Sequence, residues 1–235
     1  MTPLRACYET APPNTLTAVN SATHNHAIPR SATVRPMARL ARLPQRAQIV
    51  DVLRSNLVLR RLSDAAWRDL EPQLEVVDYA KGDQLLHQGS EHMEQYFIID
   101  GILKRVVANP EGKEMILRFA AERDMDTSYA AWRLRTPAPY SIVAVTKASA
   151  AKLPIEAWAQ FLDRHPAIKA DFEYEVMRLM SEVMAHTITL HLLDAHGRVN
   201  RFMRKHPELA NRIPKKELAS YLNLTPETLS RLKLK

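Results

Sequence analysis

Three side chains near the C-terminus, Glu227, Ser230 and Arg231 in LTPETLSRL, fall three and four positions apart, a spacing that places them on one side of a helix. An arginine there can donate two hydrogen bonds to the O6 and N7 edge of guanine, and a glutamate can accept from the amino group of cytosine. Serine can bond to a base edge or a phosphate. Upstream, Lys215 and Lys216, together with the helix N-terminus, suit phosphate contacts. The chemistry is that of a reader of the DNA major groove. The same pattern also fits any helical hairpin with a polar face.

Such a reader needs two short helices joined by a tight bend. In KKELASYL, Leu218, Ala219 and Leu222 form one apolar stripe. Asn223 tolerates the left-handed backbone that a bend requires. Thr225 is a good N-cap and Pro226 fits the first helical position. Leu229 and Leu232 then face the first helix, which leaves Glu227, Ser230 and Arg231 pointing outward.

A long helix from about Pro166 to His196 precedes this pair. Ile168, Phe172, Val176, Leu179, Val183, Thr187, Leu190 and Leu193 recur at steps of three and four, close to a heptad seam. At roughly 45 Å it is too long for one small core to cover. Pairing with a second copy through Phe172, Val176, Leu179, Val183 and Leu190 is expected, and packing along its own β-domain is the alternative. Met177, Met180 and Met184 lie beside that seam and read as packing residues.

Between residues 74 and 154 short β-prone runs alternate with turn signals, including Asp100-Gly101 and Pro110-Glu111-Gly112-Lys113, which points to a sandwich or small barrel. Asp-Gly between YFII and ILKRVV predicts a hairpin. Ahead of the β region, Gln48 to Leu74 reads as helical, with Ser63 as an N-cap and a helix end near Pro72. Residues 1–36 lack an apolar period and read as a disordered tail, with Met37 a second candidate start and a transit peptide the rival reading.

Charge is segregated. Residues 1–61 carry nine basic and two acidic residues, residues 62–195 fourteen and twenty-one, and residues 196–235 ten and three. A basic end on an acidic body suits a polyanionic partner, though a solvated basic tail has the same composition. One cysteine, Cys7, excludes an internal disulfide and a cysteine-held iron–sulfur cluster. His186, His191 and His196 are five apart and cannot share a helix face, and His87 and His92 read as surface residues, so no metal site is expected. No nucleophile elbow or phosphate loop supports catalysis, and no apolar run of about 18 residues implies a membrane span. A cytoplasmic protein that is not an enzyme is expected.

The order of these elements resembles the CRP/FNR family of bacterial transcription regulators from about Leu62 to Lys235. YAKGDQLLHQGSEHMEQYFIIDGILKRVVANPEGKEMILRFAAERDM is similar to that family's cyclic-nucleotide-binding fold, and LTPETLSRL to its recognition helix, with the E-x-x-S-R pattern of the FNR branch. The resemblance implies an α+β fold. An antiparallel β-roll (a cyclic-nucleotide-binding-like jelly roll) with flanking helices is followed by a long dimerisation helix and a C-terminal helix-turn-helix. The expected division is a basic N-terminal tail over 1–46, a sensor domain over 47–162, the dimerisation helix over 163–196 and a DNA-binding domain over 197–235. The motif reaches Lys235 with the recognition helix short and no wing, so weaker DNA binding than the family's is expected.

The resemblance also fixes where an effector would sit. Nucleotide-binding members carry Gly-Glu and then Arg-Ser around the cyclic phosphate. Here Thr127-Ser128 and Tyr140-Ser141 stand in those places. Thr127, Ser128, Arg133, Arg135, Tyr140 and Ser141 are therefore the pocket candidates, with the two arginines more naturally solvated. No cofactor is assigned, and cyclic AMP is not expected to bind. Implied partners are double-stranded DNA, a second copy in a homodimer, RNA polymerase and an unidentified small-molecule effector, with no membrane. A dimeric sensor or adaptor that does not read DNA is the alternative.

Overall fold

The computed structural model describes residues 38–233, all within a single unit, Val34–Lys235. Residues 1–36 of the disordered tail expected over 1–46, and Met37, lie outside the described residues; within the rest of it Ala38 and Arg39 instead pair with Val76 and Glu75 in a sheet and Leu40 is buried.

Local signals set the first helices. α1 (Arg46–Arg54) is followed by α2 (Asp64–Leu70). Ser63 caps α2 by accepting from the Ala66 N–H at 3.2 Å. α2 ends at Leu70, and Pro72 sits in the 3-10 turn that follows. Trp67 and Leu70 turn inward.

The strands are β1 (Ala38–Arg39), β2 (Glu75–Tyr79), β3 (Gln84–Leu86), β4 (Glu94–Asp100), β5 (Leu103–Ala108), β6 (Glu114–Ala120), β7 (Met125–Thr127), β8 (Ser141–Ala144) and β9 (Ala148–Pro154). All pairings are antiparallel. One sheet runs β1-β2-β9-β4-β7 and the other β3-β8-β5-β6. Short α3 (Tyr129–Leu134) lies between β7 and β8.

The turn expected at Pro110–Lys113 joins β5 and β6 in a hairpin, with Ala108 opposite Glu114. The hairpin expected at Asp100-Gly101 does not form, because β4 and β5 belong to different sheets. Gly101 is a corner where the chain crosses from one sheet to the other. Its φ is +90°, and a Cβ there would lie 2.4 Å from the Lys147 carbonyl oxygen, so both backbone conformation and space demand glycine.

α4 (Ile155–Arg164) and α5 (Pro166–Leu192) follow β9. α5 stops short of the expected His196. Leu193 is extended, and Asp194 begins α6 (Ala195–Lys205) by accepting from the Gly197 N–H at 2.8 Å. The chain ends in α7 (Pro207–Ala210), α8 (Lys215–Tyr221) and α9 (Pro226–Lys233).

Two buried clusters hold the unit together. The larger joins α1, α2, α4 and one face of α5 to the roll, around Phe97, Trp158, Phe161 and Phe172. Phe172 meets Trp158 and Tyr129 edge-on, at centroid distances of 5.4 and 4.9 Å. The smaller cluster joins α6 to α9 to the outer face of β5 and β6, through Phe119, Phe202, Tyr221, Leu218 and Leu229.

The seam expected along α5 needs correction. Phe172 and Leu179 are buried against the chain's own roll, and Val176 packs beside them. Val183 and Leu190 are half-buried. The apolar residues left open are Tyr174 (62%), Met177 (63%), Met180 (55%), Met184 (66%), Ile188 (50%) and Leu192 (77%). They recur at steps of three and four along a second face of the helix, with Met180 at its border with the roll. Both sides of α5 are apolar, so spacing alone did not reveal which one the roll covers.

Candidate nucleic-acid interface and the interior of the roll

The C-terminal helix pair has the geometry its sequence requires. Asn223 takes the left-handed conformation, with φ +52°. Thr225 Oγ1 accepts from the Thr228 N–H at 3.2 Å and caps α9. Leu218, Ala219, Leu222 and Leu229 are buried, and Leu232 packs partly against them. Glu227 and Arg231 are exposed, Ser230 is half-buried, and Lys215 and Lys216 are exposed at the start of α8. The Glu227 carboxyl titrates below its ordinary range because its own backbone N–H and the Thr225 hydroxyl favour the charged form. A charged acceptor, a hydroxyl and a guanidinium therefore stand at one end of the molecule, beside two lysines.

The roll holds this pair from behind. Tyr221 packs on Phe119 at 5.1 Å and stacks flat on His186, with centroids 3.8 Å apart and planes 2° from parallel. Lys104 Nζ donates to Glu217 Oε2 at 2.8 Å. Arg212 grips Glu122 through both guanidinium nitrogens, the Nη1–Oε2 bond being 2.8 Å. Glu122 Oε1 also accepts from the Gly101 N–H at 2.9 Å, which ties the sheet corner to the C-terminal helices. Burial opposes the charged form of Glu122, but Arg212 and the Gly101 N–H outweigh it and hold its carboxyl below the usual range.

Inside the roll the candidate pocket residues separate. Thr127, Ser128 and Tyr140 come together, but around a residue that sequence reasoning missed. Arg105 on β5 is buried and bonds to Asp126 Oδ1 at 2.7 Å and to the Thr127 carbonyl at 3.1 Å. Its guanidinium lies 4.6 Å from the centre of the Tyr140 ring, and the Tyr140 hydroxyl donates to the same Thr127 carbonyl at 2.6 Å. Burial penalises the Arg105 charge, but the Asp126 carboxylate more than restores it. Burial raises the Tyr140 phenol above its ordinary range.

Ser141 turns away, and its hydroxyl accepts from the Gln88 N–H at 2.9 Å. Arg133 and Arg135 are exposed on and just after α3, so neither is part of this interior cluster. Solvation costs nothing for a loop guanidinium, whereas entering the roll would add a second buried cation beside Arg105.

The space left beside Arg105, Tyr140 and Met180 is about 20 Å³. One water needs roughly 10–15 Å³ on this measure, and a small-molecule site needs several hundred. Arg105 left one usable sign in the sequence, a charged residue inside the β-prone run ILKRVV, whereas Asp126, in the polar stretch ERDMDTS, left none. Lys104 and Arg105 are neighbours that point to opposite faces of β5, one toward α8 and one into the roll.

Among the described residues no group of three His, Cys, Asp or Glu side chains is placed to hold a metal ion. His87 and His92 are exposed. No helix among them is long and apolar enough to cross a membrane.

Comparison with known proteins places these features. Residues 76–165 match a family described as the cyclic nucleotide-binding domain. The chain is 24% identical over 190 residues to the nitrogen fixation regulation protein FixK of Bradyrhizobium diazoefficiens, covering 76% of this chain and 78% of that protein. It is 21% identical over 164 residues to the cAMP-activated global transcriptional regulator CRP of Salmonella typhimurium, covering 66% and 78%. Among solved structures it is similar to FixK2 of Bradyrhizobium japonicum, with a TM-score of 0.58 at 16% identity over 68% of this chain and 82% of that one. It is also similar to the c-di-GMP-responsive regulator CLP of Xanthomonas campestris, with a TM-score of 0.61 at 14% identity over 73% and 91%.

Proposed function

We propose that the chain is a dimeric DNA-binding transcription regulator of the CRP/FNR type answering a signal other than cyclic AMP, a reading supported by the match of residues 76–165 to the cyclic nucleotide-binding domain and by the similarity to FixK and CRP. The observation that carries this reading is the outward face of α9. Glu227 and Arg231 stand clear of the protein on a helix with a firm cap, beside Lys215 and Lys216. Arg231 reads a guanine edge, Glu227 a cytosine amino group, and the lysines and the Thr225 end of α9 hold phosphates.

The division proposed is a sensor over 47–162, a dimerisation helix over 163–196 and a DNA-reading unit over 197–235, preceded by a basic tail. The seam between two copies is the open stripe Met177, Met180, Met184 and Ile188. The closed interior of the roll supports a signal other than a cyclic nucleotide, since Arg105 and Tyr140 occupy the space themselves. RNA polymerase is the further partner such a regulator meets in the cytoplasm.

Salt-titrated binding to a palindromic site tests this reading. The wild type should bind the site well above random DNA, and Arg231→Ala should lose about 1–3 kcal/mol on the site alone. Equal binding by wild type and variant, or binding by neither, favours a dimeric sensor or adaptor that does not read DNA.

A further inference from the structure

The cleft where the roll, α5, α6 and α8 meet gathers more cations than carboxylates, and Arg198 and Arg201 have no carboxylate partner among the described residues. Four basic side chains line it: Arg118 from β6, and Arg198, Arg201 and Lys205 from α6. Glu182 is the one carboxylate lining it, and it is already engaged by Arg178 at 2.7 Å and faces Lys205 at 3.7 Å. Arg198 bonds only to backbone carbonyls, those of Leu222 and Asn223 at 2.8 and 3.3 Å and that of Asp194 at 3.4 Å. Arg201 forms no ion pair among the described residues. Arg118 is 8% exposed and shares one nitrogen with Asp124 at 3.1 Å. His186 also lines the cleft, and its Nε2 is buried without a hydrogen-bond partner.

Gathering like charges is costly unless an anion joins them. The cationic field is felt by the neighbouring histidine. Burial first, and then Lys205 and Arg201, push His186 down to about 4.

We propose that this cleft is a binding site for the terminal phosphoryl group of a small phosphorylated molecule. The open volume is about 50 Å³. One water needs roughly 10–15 Å³ on this measure, so the space admits a small group of a few heavy atoms. Guanidinium groups match phosphate oxygens with paired N–H bonds, and a neutral His186 supplies a further donor. Lys205, 41% exposed, stands at the open side, where the rest of the ligand would lie.

A phosphodiester inside a duplex is a poor fit. Its phosphate is fixed on a broad rod and cannot descend to a guanidinium as deep as that of Arg118. α9 does not line the cleft. The site therefore stands whether or not α9 reads DNA. A ligand there would bridge β6, α5 and α6 and stabilise the docked position of the C-terminal helices by its own binding free energy.

Thermal melting and calorimetric titration of the full chain with sodium pyrophosphate and orthophosphate, against sodium chloride of equal ionic strength, test the proposal. A saturable rise in Tm is expected with millimolar pyrophosphate or below, smaller with orthophosphate and absent with chloride. Arg201→Glu and the gentler Arg201→Gln and Lys205→Gln should each weaken pyrophosphate binding at least tenfold. Arg60→Glu, an exposed position outside the cleft, should leave it unchanged. The proposal is overturned by a rise shared with chloride, by full binding in the Arg201 and Lys205 variants, or by protection from a short DNA duplex but not from pyrophosphate.

Discussion

Two arginine-bearing sites lie a few residues apart in the fold and have opposite characters. In the roll, Arg105 is matched by Asp126, roofed by Tyr140 and left with about 20 Å³ of free space. In the cleft below α6, Arg118 is held by Asp124 and Lys205 faces Glu182, while Arg198 and Arg201 are left without a carboxylate beside about 50 Å³ of open space. The first is a closed structural pair and the second an open site with surplus charge. Charge compensation, rather than the presence of arginine, separates a core element from a place that takes a ligand. The closed site lies within the residues that match the cyclic nucleotide-binding domain, and the open one lies beneath the C-terminal helices.

The comparison breaks most visibly at Asp126. Asp126→Ala leaves a buried guanidinium without its carboxylate, and urea denaturation should show a loss of about 3–5 kcal/mol. Adding Arg105→Met in the same chain should restore most of it. If the single variant costs no more than an exposed substitution, the pair is not the closed element described.

The two sides of α5 sharpen the picture next. Leu179→Ala, at a buried position, should destabilise by about 2–5 kcal/mol. Met184→Glu, at an exposed one, should barely move the stability of a single chain but should convert a dimer to a monomer in sedimentation or light scattering. The opposite pattern would return the seam to Phe172, Val176 and Leu179.

A smaller effect concerns His186, stacked on Tyr221 at the edge of the cleft. Its folded pKa of about 4 lies below the ordinary 6.5 because burial and nearby cations disfavour the imidazolium. Below pH 6.5 the unfolded chain takes up a proton that the folded chain refuses until about pH 4. Stability from this group is therefore complete above pH 6.5 and is lost as pH falls toward 4, by about 3 kcal/mol at most. His186→Phe should flatten that part of the stability–pH curve, measured by urea denaturation from pH 7 to pH 4. An unchanged slope would show that the ring is solvated in the folded protein.

Features fixed by one or two neighbouring residues were legible in the sequence. Ser63 and Thr225 cap the helices they were expected to cap, Asn223 makes the left-handed bend, and Gly112 turns the β5–β6 hairpin. Features set by distant partners were not. Asp100-Gly101 carries the same local signal whether the next strand folds back or crosses to another sheet, and Lys147 and Thr146 decide that. Arg105 and Asp126 pair across 21 residues. α5 is apolar on two sides, so periodicity marked a seam without saying which side the roll would claim. The exposure of Glu227 and Arg231, the residues proposed to read bases, was legible because the motif that presents them is local from Lys215 to Leu232.

Selection of bound DNA from a random pool tests the central claim most directly. The account predicts enrichment of an inverted repeat with half-sites about 10–10.5 base pairs apart, centre to centre, and loss of that enrichment in Arg231→Ala and in Met184→Glu. Recovery of no common sequence, or of the same sequences by the Arg231 variant, would contradict it.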